Sequence, residues 1–149
     1  MAAQAWSVYN TAKKKIGNGT LDLSATVFRI SLYKSSSSFA TLSLSVIGSV
    51  SNELTEANGY SSSGQALANE EWTVGASAGQ YKFDADDVVW TATGGNITSI
   101  KAAVIWLSGA SAGGRHLLCY SSLTSSQFTL ASGNTLTIQM NASGILTLS

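Results

Sequence analysis

The spacing of apolar residues divides the chain into one short helical stretch followed by a long succession of strands. Over residues 4–16, Trp6, Tyr9, Ala12, Lys13 and Ile16 recur at intervals of three and four, which is one stripe of a helix face. Lysines crowd its end, and Gly17-Asn18-Gly19 then supplies residues that accept the left-handed conformation of a helix C-cap. From residue 26 the period falls to two. Phe28, Ile30 and Leu32 share one face and Arg29 and Ser31 the other, the pattern of a half-buried strand.

Ser35 to Ser38 reads as a connector. Residues 42–46 alternate as a strand would but equally suit a short helical turn. Asn58-Gly59 carries a turn signal. Further strands are expected at 66–74, 79–83, 87–93, 97–107, 116–121, 127–130, 135–140 and 145–148. Tyr81, Phe83, Val88 and Trp90 are their inward anchors, and Ile100, Ala102, Val104 and Trp106 line one face of the 97–107 strand. Many short strands with regular turns predict a mainly β protein, an antiparallel β-sandwich of jelly-roll type with a short N-terminal helix. Residues 1–19 form the helix or arm and 26–149 the sandwich, within a single domain over 1–149. Proline is absent, so edge strands need another protection, and covering by a neighbouring subunit is one route.

Charge changes the picture. Charged residues make up 11% of the chain, less than half the usual share, and the net charge is zero. The apolar share of 44% is ordinary, so disorder does not explain the deficit. A surface covered by Ser, Thr and Gly suits a protein whose faces meet other proteins. Binding to a phosphate backbone requires clustered Lys and Arg. The one cluster, Lys13 to Lys15, reads as the basic last turn of the helix, so no nucleic-acid partner is expected. No apolar run approaches the ~18 residues of a membrane helix, and the N-terminus lacks the layout of a secretory signal. The Asn-X-Ser/Thr matches at Asn18, Asn96 and Asn141 are therefore read as chance.

Candidate chemistry is sparse. His116 is the only histidine, without a Gly-X-Ser-X-Gly elbow, and His116 with Cys119 gives too few ligands for zinc. Cys119 is single and lies in an apolar run, as a buried free cysteine would. Asp84, Asp86 and Asp87 are dense enough to attract a hard cation, but turn formation accounts for them. Glu53/Glu56 and Glu70/Glu71 are conceivable glycosidase pairs with nothing to fix their separation. The tryptophans Trp6, Trp72, Trp90 and Trp106 suit a core better than a carbohydrate platform. The expectation is a protein without catalytic residues, metal or cofactor.

Three segments carry a resemblance along nearly the whole chain: Ala12 to Thr20, Phe83 to Trp90 and Thr135 to Ile145. Asn52-Glu53-Leu54, Gly59-Tyr60 and Ala103-Val104-Ile105 add to it. Together they resemble a group of small tailed-bacteriophage virion proteins. The resemblance implies a capsid decoration, or cement, protein with a sandwich fold, bound outside the head as a dimer or trimer, with the major capsid protein as partner. It implies synthesis in the bacterial cytoplasm and residence on the virion. It transfers no site residues, and the Gly- and Ser-rich region 108–115 reads as a variable loop. Interface anchors tend to be aromatic, which selects Trp6 and Tyr9 on the helix and Phe39 after the serine run. The alternative is a tail or fibre protein that binds host carbohydrate through exposed tryptophans; a glycan hydrolase using Glu70 and Glu71 is the third.

Overall fold

The computed structural model describes residues 5–25, 27–109 and 112–149. Twelve strands and one helix follow in order: β1 (Ser7–Val8), α1 (Asn10–Gly17), β2 (Phe28–Tyr33), β3 (Gln65–Ala66), β4 (Glu71–Val74), β5 (Tyr81–Asp84), β6 (Val88–Thr91), β7 (Ile97–Ile100), β8 (Ala102–Leu107), β9 (Leu117–Ser122), β10 (Phe128–Leu130), β11 (Thr135–Ile138) and β12 (Leu146–Leu148). The protein is mainly β, with several antiparallel sheets and one short helix. The largest sheet runs β1-β9-β8-β2-β3, a second runs β12-β5-β4, and β10-β7 and β11-β6 form two ribbons.

The helix is shorter than the apolar stripe predicts. Residue 4 lies outside the described residues, and Ser7 and Val8 are extended, paired with Tyr120 and Cys119 on β9. Trp, Ser and Val are mediocre helix formers, and a short helix is marginal by itself, so closing a sheet edge prevails. Tyr9 takes the N-cap position with no side-chain cap bond. The loop 42–44 compensates: Leu42 O accepts from Asn10 N at 3.0 Å, and Leu44 O accepts from Thr11 Oγ1 at 2.5 Å. Residues 42–46 thus brace the helix start, with a turn closed by Leu44 N on Thr41 O at 3.1 Å and a single bridge from Val46 to His116 in place of a full strand. At the other end the chain leaves the helix as expected, with Gly19 at φ +75° and its N–H on Ile16 O at 3.2 Å.

Strand β2 lies between β8 and β3 and is buried on both faces, so the half-buried reading fails. Ser31 is fully buried as well as Phe28, Ile30 and Leu32, and its hydroxyl accepts from Trp106 Nε1 at 3.0 Å. Residue 26, where the strand was expected to begin, lies outside the described residues. Strand β8 is likewise buried on both faces from Ala102 to Trp106. The single strand expected over 97–107 is two strands, β7 and β8. Ser99 adopts φ +65°, and at Lys101 the chain passes from the β10 ribbon into the large sheet. The Lys101 N–H bonds Tyr33 O at 2.9 Å there.

One buried cluster joins the helix (Ala12), the large sheet and the smaller sheets through Phe83, Trp90, Ile100 and Ile138. Phe28 and Phe83 bridge the large and three-stranded sheets with ring centroids 4.8 Å apart. Trp90 and Trp106 lie in this core. Tyr81 does not: the inward anchor expected there is 46% exposed.

Candidate functional site

The interface residues expected from sequence separate into two kinds. Tyr9 is completely buried and Phe39 nearly so. The Tyr9 hydroxyl donates to Phe39 O at 2.5 Å, and both rings pack on Tyr120 at centroid distances of 5.5 Å. Burial raises the Tyr9 hydroxyl pKa far above its ordinary value. Both residues hold the helix and the serine-rich loop to β9, and neither is available to a partner. Trp6 is half-buried and lines a cleft between β1 and the turn into β12.

Among the described residues, three of the exposed large apolar side chains lie together elsewhere. In the three-stranded sheet Leu146, Phe83 and Trp72 stand side by side, and two residues further along the same face stand Leu148, Tyr81 and Val74. Phe83 is in the core, whereas Val74 is 61%, Tyr81 46% and Leu148 59% exposed. Alternation along a strand therefore carries the core face past the rim of the core and into solvent. Trp72 stacks on Tyr81 with centroids 5.9 Å apart and planes 22° from parallel. Trp72 also belongs to two shallow grooves of about 320 and 270 Å³, one bounded by Leu21 to Ser24 and the other by Val8, Lys13, Leu146 and Leu148, with Ile16 and Leu23 common to both. Sequence reasoning placed Trp72 and Tyr81 inward; the alternating pattern was right, but it contains no signal for where the covering layer stops.

The lysine run is split. Lys13 and Lys14 are exposed, while Lys15 turns toward the protein, its Nζ 2.7 Å from Ser45 Oγ and 2.7 Å from His116 Nδ1. An ammonium can only donate, so Nδ1 is the unprotonated nitrogen of the ring. Burial lowers the His116 pKa and the Lys15 charge lowers it further; burial also lowers Lys15. The cluster ties the helix end to the segment where Val46 bridges His116.

The acidic residues are each engaged separately. Asp84 pairs with Lys82 Nζ at 2.7 Å, Asp86 accepts from Asn69 Nδ2 at 2.6 Å, and Asp87 accepts from Met140 N at 2.8 Å. Among the described residues no group of three His, Cys, Asp or Glu side chains is arranged to hold a metal. Glu70 accepts from Phe28 N at 3.1 Å, fixing the start of β2, and Glu71 lies opposite Asp84 in the sheet. Glu53 accepts from both Tyr60 Oη and Ser63 N at 2.7 Å, and Glu56 accepts from Ser62 N at 3.1 Å. Cys119 is fully buried on β9, where burial pushes its thiol pKa well up. In the 108–115 loop, residues 110 and 111 lie outside the described residues, and Ala112–Gly114 form a 3-10 turn. Among the described residues no helix is long and apolar enough to cross a membrane.

No protein-family model, curated protein or solved structure matches this chain.

Proposed function

We propose that this chain is a structural protein of a tailed-bacteriophage virion, a decoration protein that binds the outside of the capsid and stabilises contacts between capsomers. The observation that carries this reading is the exposed row Val74, Tyr81 and Leu148 beside Trp72. Large apolar groups side by side at the surface suit a protein interface, and clustered aromatics are its usual anchors. The low share of charged residues and the sequence resemblance support the same reading. In it the sheets enclose the core as a jelly-roll-like sandwich, the chain assembles as a dimer or trimer on the shell, and the major capsid protein is its partner. Contacts of modest strength suffice, because each subunit of such an oligomer adds an intramolecular contact to the lattice.

The test is the copy number of the protein in purified virions, measured by quantitative mass spectrometry against the major capsid protein. A ratio near one, or a simple fraction of it, is the expected outcome. A few copies per particle would instead favour the tail or fibre reading. In reconstitution, Tyr81→Glu places a charge in the exposed row and is expected to lower occupancy of the head while the protein stays folded. Unchanged occupancy would remove this face from the interface.

A further inference from the structure

The cleft beside Trp6 has a chemistry unlike that of the apolar row. It encloses about 490 Å³, within the range of small-ligand sites. One wall is Ala5, Trp6 and Val8; the other is the turn from β11 to β12, which contributes Gln139, Asn141 and Ser143, together with Thr147 on β12 itself. Among the described residues the lining combines an indole and the apolar Ala5, Val8, Ile145 and Leu146 with amides and hydroxyls, and it holds no charged side chain.

Both walls are held in place. Strand β1 is registered on β9 through Ser7 with Tyr120 and Val8 with Cys119. The turn is fixed at five points. Asn141 Oδ1 accepts from Ser143 N at 2.8 Å, and Gly144 sits at φ +97° with its N–H on Asn141 O at 2.7 Å. Lys82 Nζ donates to Ala142 O at 3.0 Å, Asp87 accepts from Met140 N, and Ile145 N donates to Phe83 O at 2.8 Å. The charges nearest the turn, Lys82 and Asp87, are thus used to hold it and do not line the cleft. Gln139, Asn141, Ser143 and Thr147 are all exposed. Among the described residues the Gln139 amide and the Thr147 hydroxyl have no hydrogen-bond partner, which leaves them unsatisfied by the protein itself.

A ligand suited to this lining has a flat apolar face for an indole, many hydroxyls for amides and alcohols, and no charge. We propose that the cleft binds an uncharged saccharide, stacked on Trp6 and hydrogen-bonded by Gln139, Asn141, Ser143 and Thr147. Among the described residues the lining offers an acidic sugar no cation to pair with, and a purely apolar ligand would strip water from the polar wall without replacing its hydrogen bonds. The proposal goes beyond capsid decoration and holds wherever on the particle the protein sits.

The test is an amide and indole NMR titration of the full chain with maltotriose, with the N-acetylglucosamine trimer, and with sialyllactose as a charged comparator. The Trp6 indole resonance is assigned by its loss in Trp6→Phe. At least one neutral trisaccharide is expected to shift the Trp6 indole and the Gln139 side-chain amide saturably in the millimolar range, leaving the core Trp90 indole unmoved. Gln139→Ala, at an exposed position, is expected to weaken binding roughly tenfold, the fold-change that ~1.4 kcal/mol of lost hydrogen bonding produces. The proposal is overturned if neither neutral sugar gives a saturable shift, if sialyllactose binds more tightly, or if Gln139→Ala combined with Thr147→Ala leaves affinity unchanged. Virion copy number is read independently, so failure here leaves the decoration reading standing, and the reverse.

Discussion

The Tyr9 hydroxyl and the Phe39 carbonyl, thirty residues apart in sequence, satisfy each other inside the protein at 2.5 Å. The bond fastens the segment entering the helix to the loop after the serine run. Replacing Tyr9 by Phe keeps the ring packing on Tyr120 and leaves a carbonyl without its donor. Such a change should lower unfolding free energy by ~1–2 kcal/mol. Chemical denaturation measures it, and on the proposed function the folded variant should occupy the capsid as before, because neither group reaches the surface.

A second buried pair tests the centre of the large sheet. Ser31→Ala would leave Trp106 Nε1 without the hydroxyl that accepts from it at 3.0 Å. The expected loss is ~1–3 kcal/mol, the cost of orphaning a buried donor. Ser31→Ala combined with Trp106→Phe should recover part of that loss in a double-mutant cycle, since the second change removes the orphaned group.

Gly64 is a position where only glycine fits. Its φ is +64°, and a Cβ there would lie 1.8 Å from Ile30 O. Arg29 clamps the same turn, with Nε on Ser63 O at 3.0 Å and an Nη on Gly64 O at 2.7 Å. Gly64→Ala should therefore cost ~3 kcal/mol or more. Gly48→Ala meets nothing within 4 Å and serves as the control, with little change in melting temperature expected.

Acid should weaken the fold through His116. Burial and the Lys15 charge lower its pKa in the folded protein, so the unfolded chain binds the proton more readily. The stabilisation is fully present above the ordinary histidine value of about 6.5 and is lost as pH falls from there through the lowered folded value. Protonation would also place a hydrogen on Nδ1, opposite the ammonium that now donates to it. Denaturation midpoints measured across this window should fall with pH. In His116→Asn, whose side-chain oxygen can accept from Lys15, that slope should flatten.

What the sequence revealed was governed by distance along the chain. Strand period, the Gly17-Asn18-Gly19 helix exit and the burial of Phe83, Val88 and Trp90 depend on neighbours a few residues away, and all three were legible. The extension of Ser7 and Val8 was not, because it depends on an edge of β9 more than a hundred residues later. Tyr9 and Phe39 illustrate the same limit: aromatic residues near a terminus and in a serine-rich loop look like surface anchors until Tyr120 supplies the surface they bury. The Lys15–Ser45–His116 contact leaves no local trace either. Tyr81 and Trp72 show the converse case, where periodicity identifies a face correctly and says nothing about whether a second layer extends over it.

The large sheet ends on both sides in strands of two residues, β1 and β3. A strand advances about 3.3 Å per residue, so each terminus offers an incoming chain a template of less than 10 Å. Growth of fibrils by edge-on recruitment requires a longer run of free backbone than that. A chain with zero net charge and no proline lacks the two commonest deterrents to such stacking. The blunt ends of the large sheet supply a third, so what that sheet offers another copy is side chains rather than free backbone.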